Sequence, residues 1–170
     1  MAKVLSSLVA LLTLLALAVP AAAQSADAPL KPVSAVRVEV RGLSEASGAC
    51  GLEAGRINSE FTQSAIEAGL GISGTSPYLL SLLATSVVYL EEHCVTSLTA
   101  EVILSGRYND PVSGRPGYGT IRLWTTAGLI ASTRDDHARL VYLGYRDLGR
   151  GLADDWRSDR AAASPIPADQ

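Results

Sequence analysis

Reactive side chains are scarce in this sequence: it has two histidines, two cysteines and one methionine, and aromatic residues make up only 5% of it. Neither histidine belongs to an H-x-x-x-H spacing, which argues against a helix-borne zinc site. The serines lack a G-x-S-x-G elbow, and the missing C-x-x-C argues against a redox-active thiol pair. The phosphate-cradling G-x-x-x-x-G-K-[ST] is also missing. The phrase Gly114-Arg115-Pro116-Gly117 leads into no helix and reads as a loop. Positive charge is in deficit too, with 14 Lys and Arg against 17 Asp and Glu. The arginines are scattered rather than clustered, which speaks against nucleic-acid binding. No cofactor is expected, and a non-enzymatic role fits this inventory better than catalysis.

A long apolar run occurs once. Residues 4–19 are apolar apart from Ser6, Ser7 and Thr13, behind Lys3 and ahead of Pro20-Ala21-Ala22-Ala23. The pattern predicts a signal peptide over residues 1–23; the alternative, a retained anchor, has a run short for a bilayer. No cysteine stands at the cleavage site to carry a lipid, and no twin-arginine pair precedes the run. The protein is therefore expected to be exported, to the periplasm or beyond, with no membrane span after cleavage. Removal of the leader takes only Lys3 from the charged set and leaves a mildly acidic chain long enough for one core.

Residues 24–32 read as a mobile lead-in and 159–170 as a mobile tail, flanking one domain over 33–158. Residues 33–41 alternate, with Val36, Val38 and Val40 against Arg37, Glu39 and Arg41, as a half-buried strand does. Residues 42–51 are a small-residue loop holding Cys50. Over 52–68 the period changes to that of a helix, with Ile57, Phe61, Ala65 and Ala68 in one stripe, and Gly69 suits its C-terminus. Two runs, 78–90 and 95–108, form a long hairpin about a polar tip, Glu91 to Cys94. Its second arm turns Leu98, Ala100, Val102 and Leu104 inward. After a polar gap over 105–119, residues 118–130 form a further strand in which Ile121, Leu123, Ala127 and Leu129 alternate with Arg122 and Trp124. Residues 134–156 return to helical spacing through Val141, Tyr145, Leu148, Leu152 and Trp156. Gly144, Gly149 and Gly151 each weaken that helix by about 1 kcal/mol, so packing must hold it.

The element order β-α-β-β-β-α predicts an α+β two-layer sandwich: one four-stranded mixed sheet with two helices on one face. If the first helix returns the chain so that strands one and two run parallel, the end of strand one, the hairpin tip and the start of the last helix share a pole. Cys50 and Cys94 both fall there. In an exported chain they are expected to form a disulfide, which stabilises a loop of this length by about 4 kcal/mol. Glu92, His93, Asp135, Asp136 and His137 gather at the same pole, a donor mixture that suits a divalent metal or an acid/base pair. The structural reading of the same residues is a solvated tip and a helix N-terminus complemented by acidic side chains.

The open side of the sheet is the better functional lead. It is expected to show Arg37, Glu101, Arg122, Trp124 and Tyr89, a Trp among aliphatic and charged neighbours such as partner surfaces carry. The alternating first strand, Leu123-Trp124-Thr125-Thr126-Ala127-Gly128 and Leu152-Ala153-Asp154-Asp155-Trp156-Arg157 resemble a loose group of small exported bacterial α+β proteins. The layout also resembles small periplasmic adaptors of envelope-assembly machines, such as the lipopolysaccharide-assembly lipoprotein, although the lipidated cysteine is missing. The resemblance implies export and fold, and carries over no catalytic residue. The expected function is a binding or adaptor module whose partner is an envelope protein or a small apolar ligand; the alternative is a metal-binding or metal-assisted hydrolytic protein at the His93/His137 end.

Overall fold

The computed structural model describes residues 28–109 and 113–162; the expected signal peptide lies outside them. The elements are β1 (Ala35–Arg41), α1 (Glu45–Ala49), α2 (Ala54–Glu67), β2 (Gly71–Ile72), β3 (Tyr78–Tyr89), β4 (His93–Asn109), β5 (Pro116–Thr133) and α3 (Arg134–Ala162). The strands form one sheet in the order β2-β1-β3-β4-β5. β1 runs parallel to β2 and β3, while β3, β4 and β5 are antiparallel neighbours. The class is α+β as expected, with five strands instead of four and three helices instead of two among the described residues. The additions, a two-residue strand and a five-residue helix, are too short to repeat a strand or helix period twice in sequence.

Alternation builds the core. Val36, Leu80, Leu82, Ala84, Leu98, Ala100 and Val102 point to one side and are buried. α2 covers them with Ile57, Phe61 and Ala65, and α3 with Val141, Tyr145, Leu152 and Trp156. Each buried Val, Leu, Ile or Phe side chain of this set contributes roughly 1.5–3 kcal/mol of transfer free energy, so this layer is the main source of stability. The glycines of α3 divide by environment. A Cβ on Gly149 would lie 2.5 Å from the Phe61 carbonyl oxygen, so the missing side chain lets α2 and α3 touch; Gly151 faces open space.

Polar tips lock the layers. The Tyr145 hydroxyl donates to the Leu83 carbonyl at 2.7 Å, and its burial raises its pKa. The Tyr142 hydroxyl donates to Gly51 O at 2.9 Å and accepts from Glu53 N at 3.0 Å. Trp156 Nε1 donates to Val33 O at 2.7 Å, and the Asp159 carboxylate accepts from Leu30 N at 2.8 Å. Leu30 and Val33 are buried against this end of α3, which extends to Ala162.

β1 stops at Arg41 because Gly42, at φ +75°, turns the chain beneath Leu83 and Ala84, where a Cβ would collide with both. α1 follows, capped by Ser44 and Ser47, which bond reciprocally, and lies against β3 beyond the end of β1. The Cys50–Cys94 disulfide is formed, with Cα atoms 6.0 Å apart and a sequence separation of 44. Both cysteines are buried at the pole expected from the β-α-β crossover. The second gap also differs: β4 and β5 extend to Asn109 and from Pro116, pairing through most of what reads as a polar loop.

Candidate functional site

Period-two geometry puts the odd-numbered residues of β3 and β4 on the side away from the helices. Their pairings define rows across this open face. Arg37, Leu79, Ile103 and Arg122 form one row, Glu39, Ser81, Glu101 and Thr125 the next, and Arg41, Leu83, Thr99 and Ala127 the third. Past the end of β1 the rows continue as Thr85-Ser97-Leu129, Val87-Val95-Ala131 and Tyr89-His93-Thr133. The face is thus divided. Its first rows carry a charged belt, in which Arg122 meets Glu101 at 3.1 Å and Arg41 meets Glu39 at 2.7 Å. The hydrogen bond from Arg41 holds the Glu39 carboxyl below its ordinary pKa.

Beyond the belt the face carries bare apolar side chains among uncharged polar ones. Val87 and Tyr89 are each 60% exposed, Leu129 is 70% and Leu83 39%; Ala127 and Ala131 are exposed and Val95 half-buried among them. Thr85, Ser97, Thr99, His93 and Thr133 are the polar interruptions. Isolated exposed aliphatic residues are ordinary, but a contiguous set on neighbouring strands is not. The field runs up to the β3–β4 turn, where Leu90 and Glu91 take φ of 48° and 58°. Left-handed backbone at two non-glycine residues costs each about 1–2 kcal/mol.

The expected interaction residues separate in the structure. Arg37, Glu101, Arg122 and Tyr89 lie on the open face, in the rows given above. Trp124 does not: it pairs with Val102, on the helix side, and packs half-buried against the core. Its Nε1 donates to Asp155 Oδ2 on α3 at 2.8 Å. The cause is a β-bulge. The register shifts between Val102 and Ile103, so that Leu123 has no partner on β4. One extra residue inverts the faces beyond it, and Ala127 and Leu129, expected inside, come to the open side. Trp124 is corrected from the centre of the surface to a peg between β5 and α3.

The pole holding the disulfide does not assemble the expected metal donors. His93 lies in the open-face row with Tyr89 and Thr133, whereas His137 is wholly buried beneath the opposite face. Its Nε2 meets Thr96 Oγ1 at 2.7 Å and its Nδ1 meets Ser132 Oγ at 2.8 Å; Thr96 in turn meets Ser86 Oγ at 2.9 Å. Hydroxyls donate or accept as needed, so this chain satisfies a neutral imidazole at both nitrogens. Burial lowers the His137 pKa. Asp136 pairs with Arg139 at 3.1 Å, and Glu92 and Asp135 line an open hollow with Glu91, Thr133 and Arg134. Among the described residues no group of three His, Cys, Asp or Glu side chains is placed to hold a metal ion. The hydroxyl chain was detectable in the sequence, because Ser86 and Thr96 fall on inward positions of the hairpin, where a polar side chain needs a partner.

Among the described residues no helix is long and apolar enough to cross a membrane. No protein-family model and no curated protein matches the chain. Among solved structures, a minor lipoprotein from Acinetobacter baumannii is similar at 12% identity with a TM-score of 0.35, over 76% of this chain and 96% of that one.

Proposed function

We propose that the protein is an exported binding module that holds the apolar surface of an envelope protein against the bare face of its sheet, around Val87 and Leu129. The observation behind this reading is the run of neighbouring exposed or half-buried apolar residues Tyr89, Val87, Val95, Ala131, Leu129 and Ala127, with Leu83 set apart by Thr85 and Thr99, on the face opposite the helices. A pleated sheet surface is nearly flat, and small ligands need concave sites that enclose most of their area, so the match is to a protein surface. The belt of Arg37, Glu39, Arg41, Glu101 and Arg122 supplies the charged rim that a partner interface carries around its apolar centre. The disulfide belongs to an oxidising compartment and is the structural support for export.

The test is a photo-crosslinking side chain placed at Val87 in the producing cell, with one at Ile66, an exposed residue of α2, as control. A discrete adduct with an envelope protein from position 87 and none from 66 is expected. Adding Leu83→Lys to the same chain should weaken the adduct about tenfold or more, since burial of one aliphatic side chain is worth about 1.5–3 kcal/mol. No adduct, equal adducts from both positions, or an adduct with a second copy of the chain counts against the reading.

A further inference from the structure

The two edges of the sheet are protected unequally. One edge is β2, only two residues long, and so offers almost no template for a foreign strand. The other is β5, 18 residues long, which pairs with β4 on one side and with nothing among the described residues on the other. In an antiparallel ladder alternate residues turn their N–H and C=O groups to opposite sides, so an edge strand holds out a row of donors and acceptors. Natural edges are blunted by charges, prolines or bulges. In β5 these devices are confined to the first half, where Pro116, Arg122 and the bulge at Leu123 stand. Residues 125–133 have neither charge nor proline.

That unguarded segment reads Thr-Thr-Ala-Gly-Leu-Ile-Ala-Ser-Thr and is close to a palindrome about Leu129. We infer that β5 pairs with β5 of a second copy, antiparallel about a twofold axis at Leu129, joining two sheets into one. In this register Leu129 lies opposite its own copy, Ala127 opposite Ala131 and Thr125 opposite Thr133 on the open face. On the helix face Gly128 lies opposite Ile130 and Thr126 opposite Ser132. Apolar therefore meets apolar, hydroxyl meets hydroxyl, and no like charges oppose each other. The pairing is bounded by the bulge at one end and the start of α3 at the other, and its midpoint is Leu129. A twofold interface of this kind is isologous and closes at two copies, which removes the edge as a template for further addition. Because the axis is perpendicular to the sheet, both apolar fields come to the same side and become continuous. Edge pairing extends that face and leaves it free for the partner proposed above.

The test is light scattering on the purified mature chain over a dilution series, with three variants whose folding is checked by circular dichroism. The wild-type chain should be a dimer. Leu129→Lys and Leu129→Glu should each be monomeric, and an equimolar mixture of the two should recover the dimer, because the axis sets position 129 against itself. Val87→Lys, in the field but two strands from the edge, should remain dimeric. A wild-type monomer at its solubility limit, a dimeric Leu129→Lys, or a mixture that stays monomeric overturns the inference. So does loss of the dimer in Val87→Lys, which would mark face-to-face packing and contradict the proposed capture of a different protein as well. A monomeric wild type leaves the crosslinking at Val87 as a separate result.

Discussion

His137 has no contact with solvent, and both its ring nitrogens are taken by Thr96 and Ser132. A neutral ring satisfies that arrangement and a charged one must be desolvated, which is why its pKa falls. In the unfolded chain the ring returns to about 6.5. Between the lowered folded value and about 6.5 the unfolded state binds the extra proton, so stability rises with pH across that interval. The contribution is fully present above the unfolded value and is lost as the pH falls through the folded one. Urea midpoints measured from neutral to mildly acidic pH should drop in this window, and His137→Gln, which keeps hydrogen-bonding capacity without titrating there, should flatten that limb. A wild-type curve unchanged across the window would contradict the burial of a neutral ring. Ser86 and Thr96 were identifiable as polar residues at inward positions; their partner was not, because it arrives from a helix forty-one positions away from Thr96.

The elements were legible wherever a single period ran unbroken. β1, α2, the β3–β4 hairpin and the buried stripe of α3 stand where Val36 to Val40, Ile57 to Ala65, Leu98 to Val102 and Val141 to Trp156 indicate. The alternation in β5 marks a strand but does not assign its faces beyond Leu123. An inserted residue leaves no mark on composition, yet at Leu123 it exchanges the faces of everything from Trp124 onward and thereby moves the candidate site. The capping residues Ser44 and Ser47 were the available sign of α1, and the alternation within 105–119 is thin because glycine fills several inward positions. The glycines of α3 look alike in sequence and differ in place. Gly149→Ala should destabilise the protein, since the helix-propensity gain of about 1 kcal/mol is outweighed by about 1–3 kcal/mol of overpacking against the α2 backbone. Gly151→Ala should stabilise it by up to about 1 kcal/mol, because nothing opposes the new methyl group. Thermal melts of the two single variants check the contrast, and equal shifts would contradict the helix contact at Phe61.

At the scale of the whole molecule, a disulfide and a one-sided sheet define the protein. Cys50 and Cys94 tie the loop after β1 to the start of β4, closing 44 residues, and the chain-entropy model assigns such a closure about 4 kcal/mol. The double variant Cys50→Ala/Cys94→Ala should lower the unfolding free energy from urea titration by about 4 kcal/mol or less, with a lower midpoint, and wild-type protein kept in reductant should follow it. An unchanged midpoint would mean that the clip restrains nothing the fold does not already restrain. The helices pack on one face of the sheet and leave Val87, Tyr89 and Leu129 exposed on the other, the face to which the proposed binding is assigned. Carbene footprinting of the purified protein and of the same protein in intact producing cells tests this most directly. The account predicts strong labelling of Val87 and Tyr89 in isolation, no labelling of Leu82 and Leu98 in either state, and protection of Val87 and Tyr89 in the cell. Equal labelling of Val87 and Tyr89 in both states would show a face that nothing covers, and would contradict it.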